Sequence, residues 1–214
     1  MAQLQRLSQA ERTEISDTRM LEAAIDLIVE RGAENTTLKE VGEMAGYSRG
    51  LAGYRFGNKA GLFEFVVRAI GEEWLQELKK ATAGKVGFQA IAAAVDAHYQ
   101  MCEQTPKRVA AFYILWFGAI GPQSDVKPVI AGIHERRRKD VVRWVIEGVE
   151  QGVVSTTVDA QAIAGQFSAS IVGILYQWLV NPDDMPAIKA LYDNLKQTVE
   201  LWITPQPRET GENS

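Results

Sequence analysis

Cysteine is almost absent from this chain. Its 214 residues contain one, Cys102, so no internal disulfide can form and a framework of bridges is excluded. A reducing, cytoplasmic setting is the expectation. Histidine is nearly as scarce. His98 and His134 stand in separate segments, without the spacing of a metal seat. His98 and Cys102 are one helical turn apart, where a thiol–imidazole pair or a two-ligand seat is conceivable. With no third ligand nearby, a packed cysteine beside a polar histidine is the plainer reading. There is no glycine-rich phosphate loop and no nucleophile elbow, so nothing points to an enzyme, a cofactor, a metal or a catalytic residue. No uninterrupted apolar run reaches the ~18 residues of a membrane span. The opening MAQLQRLSQAERTE lacks the apolar core of a secretory signal. Basic residues are not in excess either: 23 Lys and Arg face 27 Asp and Glu, for a net charge of −4. No stretch alternates with period two, so no sheet is expected.

What the chain has is helical periodicity and one stretch with unusual punctuation. Thr37 to Lys59 reads TLKEVGEMAGYSRGLAGYRFGNK. Thr37 with Glu40 has the spacing of a capping box. Leu38, Val41 and Ala45 make one apolar stripe, and Gly46 can end the helix in a left-handed conformation. Ser48 is placed to cap a second helix over 49–56. Only Gly46 and Tyr47 lie between the two patterns, which forces a sharp corner. This is a helix-turn-helix, and in such units the second helix enters the DNA major groove. Charge follows the same division. Residues 48–59 hold Arg49, Arg55 and Lys59 and no acid, whereas residues 1–47 hold nine acids and five Lys or Arg. Net charge is therefore a poor guide when only one face meets the partner.

These residues resemble the DNA-binding domain of the TetR family of bacterial repressors over roughly residues 15–66. The matching positions are Gly32, Thr37, Val41, Ala45, Gly46, Ser48, Tyr54, Phe56, Lys59 and Leu62, with the paired Ala23-Ala24 before them. Tyr47, Leu51-Ala52-Gly53 and Arg55 depart from the family's usual residues, which bears on the operator sequence rather than on the mode of binding. The expected DNA-contacting set is Thr37, Ser48, Arg49, Gly50, Leu51, Ala52, Gly53, Tyr54, Arg55 and Lys59. Arg49, Leu51, Ala52, Gly53 and Arg55 are assigned to base edges, and Thr37, Ser48, Tyr54 and Lys59 to phosphate. Gly42 and Gly50 are read as letting the two helices pack tightly. Asn58 is read as the cap of a fourth helix, which puts Lys59 in its first turn beside a phosphate.

The rest of the chain reads as helix after helix. The first helix is expected over 17–31, with a stripe of Leu21, Ala24, Ile25 and Ile28, preceded by a flexible arm of about 14 residues carrying Arg6 and Arg12. The fourth is expected to end near residue 81. Further helices are expected over 88–104, 108–120, 125–151, 159–180 and 186–203, with a disordered tail over 204–214. The fold class is all-α: a DNA-binding domain over 1–66 and a helical effector and dimerisation domain over 67–203. The resemblance implies a homodimer built on the last two helices, 159–180 and 186–203, and a ligand cavity in the second domain. Candidate lining residues are His98, Tyr99, Phe112, Tyr113, Trp116, Phe117, Trp144 and Trp178. Gln100, Glu103, Glu147 and Gln177 are further polar anchors. An aromatic cage with a carboxylate would suit an organic cation, and a neutral apolar ligand fits equally. The run His134-Glu135-Arg136-Arg137-Arg138-Lys139 reads as a solvated helix surface, or more sharply as the seat of an anionic group.

The function expected is a cytoplasmic repressor that binds a palindromic, double-stranded DNA operator and is released by a small effector, with no membrane partner. An activator or corepressor-dependent regulator, or a helical small-molecule binder that has lost DNA binding, remain open at this stage.

Overall fold

The structure is a computed structural model that describes residues 8–121 and 124–205. Among these residues there are nine helices and no strand. They are α1 (Gln9–Arg31), α2 (Leu38–Met44), α3 (Arg49–Phe56), α4 (Lys59–Thr82), α5 (Gly87–Gln104), α6 (Pro106–Gly118), α7 (Lys127–Glu150), α8 (Ala160–Val180) and α9 (Met185–Ile203). The protein is all-α.

α1 begins earlier than its apolar stripe suggests. Ser8 accepts the Glu11 amide, and the Glu11 carboxylate accepts the Ser8 amide at 2.7 Å. This reciprocal cap starts the helix eight residues before Asp17, so residues 9–14 are helical rather than an arm, and Arg12 lies on the helix. Arg6 and the 206–214 part of the tail lie outside the described residues. The stripe itself is buried: Leu21, Ala24, Ile25 and Ile28 are all at most 6% exposed.

Packing divides the described chain into two compact units. One holds the residues up to Glu73 together with Thr105–Ala131; the other holds Trp74–Gln104 and the residues from Gly132 onward. α6, expected with the effector half, groups with α1 to α3 instead. Its first residues explain why. The Lys107 ammonium pairs with Asp26 and the Arg108 guanidinium with Glu22, both on α1, while Arg108 also holds Glu73 of α4 at 2.8 Å. Behind these pairs Val109, Phe112 and Tyr113 are buried.

In the second unit α9 packs on α5 and α8. Ile188, Tyr192, Leu195, Val199 and Ile203 form its buried stripe. Trp202 is 40% exposed, because Ile203 closes the face one residue later. α8 buries Ile163, Phe167, Ile171, Ile174, Leu175 and Trp178. With 21 residues and a mean hydropathy of 1.4, α8 is long and apolar enough to cross a membrane by those two measures. Glutamines and serines interrupt the run yet leave its average apolar, which is why counting uninterrupted apolar residues missed it.

The entry to α4 is the tightest point of the first unit. The Asn58 carboxamide oxygen accepts the Gly61 amide at 2.9 Å. A Cβ on Gly61 would lie 2.2 Å from the Phe56 carbonyl oxygen, an impossible approach for any other residue. Gly53, by contrast, has open space around it. Gly61→Ala should cost about 1–3 kcal/mol through overpacking against backbone. Gly53→Ala should be neutral or stabilising by up to ~1 kcal/mol through helix propensity. Thermal unfolding of the two variants checks the pair, and equal melting temperatures would refute the contrast.

Candidate nucleic-acid interface and ligand cavity

The helix-turn-helix is set by backbone contact at one spot. A Cβ on Gly42 would lie 3.2 Å from the Ser48 carbonyl oxygen and 3.4 Å from the Ala52 methyl. Gly46 turns the corner at φ 79°, and the Tyr47 amide closes it on the Gly42 carbonyl at 2.8 Å. Gly42 therefore carries the close approach read from the sequence. Gly50 does not: a Cβ there would meet nothing nearer than the Ser48 hydroxyl at 3.9 Å.

This contact decides which face of α3 looks outward. Ala52, assigned to base edges, is 0% exposed and turned toward α2. It is core, because a helix pressed this closely on its neighbour must put a small side chain between them. Tyr54 is 89% exposed. Gly50 is exposed, and Leu51 and Gly53 are half-buried. The side chain of Arg49 lies outside the described residues.

Of the remaining candidates, Thr37, Arg55 and Lys59 are already engaged within the unit. The Thr37 hydroxyl donates to Glu40 at 2.7 Å and accepts the Glu40 amide at 3.3 Å. The Glu40 carboxylate thus meets the hydroxyl rather than the cap amide, and it also pairs with Arg31 at 3.1 Å. Ser48 caps α3 without a side-chain hydrogen bond to the helix. Arg55 makes a two-pronged pair with Asp17 of α1, its Nε donating to Oδ1 at 2.8 Å. The pair pushes the Arg55 pKa up, chiefly through the hydrogen bond. Arg55 thus fastens α3 to α1, a role that spacing along the chain did not reveal. The Lys59 ammonium donates to the Glu34 carbonyl and lies 5.6 Å from the Phe63 ring centre, leaving two of its three donors for another acceptor.

The second unit contains a cavity of about 30 Å³ where α4, α5, α7 and α8 converge. That is room for roughly two water molecules. Trp74, His98, Arg137, Trp144, Phe167 and Ile171 are among its walls. Of the residues expected at a ligand site, only His98 and Trp144 line it. Phe112, Tyr113, Trp116 and Phe117 pack edge and tilted against one another within α6, in the other unit. Tyr99 faces α9, with its ring 5.9 Å from Tyr192 and its hydroxyl donating to Glu103 at 2.6 Å. Trp178 is buried in α8 away from the cavity walls. Gln100, Glu103 and Gln177 are exposed, and Glu147 lies in an open groove on α7 beside Arg143. The aromatic set is thus not one cage. Periodicity placed these rings on apolar helix faces and did not tell that the faces belong to different units.

Sequence reading missed Trp74 as a wall residue and left Arg137 undecided. Trp74 is 3% exposed and lies between two partners: the His98 ring at 3.9 Å and the Arg137 guanidinium at 5.5 Å from its centre. The Trp74 Nε1–H is buried without a hydrogen-bond partner among the described residues. His98 and Cys102, one turn apart, go to different neighbours. The Cys102 sulfur lies 3.9 Å from the Tyr192 hydroxyl, and burial pushes its pKa up to about 11.

The capped helix pair with an outward α3 defines the class: a helix-turn-helix DNA-binding protein. Residues 20–66, the stretch that holds the helix-turn-helix, match the profile of bacterial regulatory proteins of the tetR family. Over 188 residues it is 23% identical to the probable acrEF/envCD operon repressor of Escherichia coli (strain K12), spanning 85% of this chain and 81% of that protein. The SmeT–triclosan complex superposes with a TM-score of 0.74 at 18% identity, over 93% of this chain and 98% of that one. A transcriptional regulator from Saccharomonospora viridis, solved with choline, superposes at 0.76 with 18% identity, over 90% and 100%. At such identities these two structures speak for the fold.

His98 links the cavity to pH. Burial, and secondly the Arg137 charge, hold its pKa well below 6.5. The unfolded imidazole takes up a proton near pH 6.5 and the folded one does not. Stability from this group is therefore full above pH 6.5 and declines below it, by at most ~1.4 kcal/mol per pH unit for one proton. Half-buried His134, lowered in the same direction by burial and by Arg138 and Arg137, adds a smaller slope. Urea unfolding at pH 7 and pH 5.5 should show the decline, and His98→Gln should flatten most of it. Identical slopes in both proteins would remove His98 as the cause.

Proposed function

We propose that this regulator is a homodimeric repressor that reads a palindromic operator with α3 and lets go when a small, largely apolar effector enters the cavity of its second unit. The observation that carries the DNA half is the asymmetry of α3: Ala52 fully buried on one side, Tyr54 almost fully exposed on the other. Tyr54 and the open backbone at Gly50 and Gly53 form the surface offered to the groove, together with Leu51 and Arg49. Lys59 and Ser48 serve phosphate, and Thr37 does so from the edge. Arg55 acts through Asp17, holding α3 at its angle, with its remaining donors turned to the backbone of the duplex. Two recognition helices ~34–36 Å apart would match one turn of DNA.

The dimer is supported by a second asymmetry. On α8, Ala162, Ala169, Gly173, Tyr176 and Val180 are exposed along one line, and no heavy atom lies within 4 Å of a Cβ built on Gly173. On α9, Leu201 is 71% and Trp202 40% exposed. A partner copy would cover this apolar surface and bring the helices close at the small residues. An effector changes DNA affinity only to the extent that it prefers one spacing of the two readers, and α4, which contributes residues to both units, is the element suited to carry that preference. The operator repressor of Escherichia coli and the triclosan-bound neighbour are in keeping with this reading.

Selection from random duplexes with purified protein should yield a palindrome whose binding weakens with salt. Absence of salt-dependent binding to any duplex would overturn the reading. Lys59→Ala should weaken all sequences alike and lower the salt slope by about one per subunit, whereas Arg49→Ala should change the preferred sequence. Gly173→Arg should yield monomers in sedimentation velocity and lose operator binding. A dimer that persists would place the interface elsewhere.

A further inference from the structure

We propose that the cavity of the second unit takes an organic anion. Its acidic head would sit between the Arg137 guanidinium and the Trp74 indole, and its apolar body among Trp144, Phe167 and Ile171. The inference rests on the effector reading above and gives that ligand its charge. An aromatic cage with a carboxylate would have suited a cation. The cavity has the rings, but among the described residues no Asp or Glu is in its walls. Its formal charge comes from Arg137, the one member of the 136–139 run that reaches it.

Two observations point to an acceptor rather than to mere core. The Trp74 Nε1–H is buried in the wall with no hydrogen-bond partner among the described residues, in a residue 3% exposed. Buried donors are nearly always satisfied, and an orphan beside a cavity marks where an acceptor belongs. Arg137, another wall residue, holds its guanidinium 5.5 Å from the centre of the same indole ring, so a positive charge and an N–H donor belong to adjoining walls. The other groups facing it do not oppose a negative charge. His98 and His134 are held below their ordinary pKa by burial and are neutral at pH 7. The Ser168 hydroxyl donates to the Ala164 carbonyl at 2.8 Å and keeps to its own helix. The space now holds about 30 Å³, enough for a carboxylate head and not for its body. Binding must therefore part the walls, and parting helices is what an effector has to do.

The test titrates the full chain with matched probes: decanoate against decanol and decyltrimethylammonium, 4-phenylbutyrate against 4-phenylbutanol, and 1-naphthoate against 1-naphthol. Calorimetry gives the affinities, and the fluorescence of wall residues Trp74 and Trp144 reports the site. At least one anion should bind tenfold to a hundredfold tighter than its uncharged or cationic match, the range of a hydrogen bond to a charge. Arg137→Met should abolish that preference while leaving the alcohol's affinity within about twofold, which also shows that the variant is folded. Trp74→Phe, which keeps a ring and loses the donor, should lower anion affinity several-fold. The proposal falls if no anion outbinds its match, or if both variants keep the preference. DNA release is scored separately on the selected duplex. An anion that binds through Arg137 yet leaves DNA binding unchanged supports this site and sinks the effector reading instead.

Discussion

The contact between α2 and α3 at Gly42 and Ala52 governs how the protein can meet DNA. Two helices this close leave room for only one methyl between them, and whichever residue supplies it is turned inward. That fixes the rotation of α3 about its own axis and so selects the residues facing outward. The Arg55–Asp17 pair then fastens the free side of α3 to α1, and the Asn58 cap with Gly61 fastens its end to α4. A reading helix of eight residues has little stability of its own. Its orientation is borrowed from three neighbours, each gripping a different point.

Much of this was legible along the chain because caps and stripes are local. Thr37, Ser48, Asn58, Asp159 and the prolines at 106 and 186 mark helix starts, and the observed helices begin at or next to them. Where reading failed, the missing information was tertiary. Ala52 falls in the middle of a basic, polar stretch, and nothing in its spacing says that Gly42 is opposite. Arg55 looks like a base reader until Asp17, 38 positions away, is seen beside it. The start of α1 was legible and was overlooked: Ser8 and Glu11 have the same spacing as Thr37 and Glu40.

The aromatic residues teach the same lesson on a larger scale. Of eight rings at helical spacing, Tyr99, Trp116 and Phe117 are only half-buried, and α6 carries its four into one unit while His98 and Trp144 serve the other. α6 lies with the first unit, where Lys107 and Arg108 at its head find acids on α1 and Val109, Phe112 and Tyr113 are buried. Position, not charge, distinguishes Arg137 from its neighbours in the basic run. Four consecutive cations wrap around a helix, so one of them must face the interior. That one meets Trp74 and leaves its field on the small space beside it.

The buried thiol of Cys102 has a practical consequence. With its pKa raised to about 11 it is almost wholly protonated at neutral pH, and protonated sulfur is a poor nucleophile. Alkylating reagents and peroxide should therefore pass over the native fold and react only when α5 and α9 separate. The lone cysteine becomes an internal reporter of opening: the speed at which it acquires a label counts how often this half of the molecule comes apart.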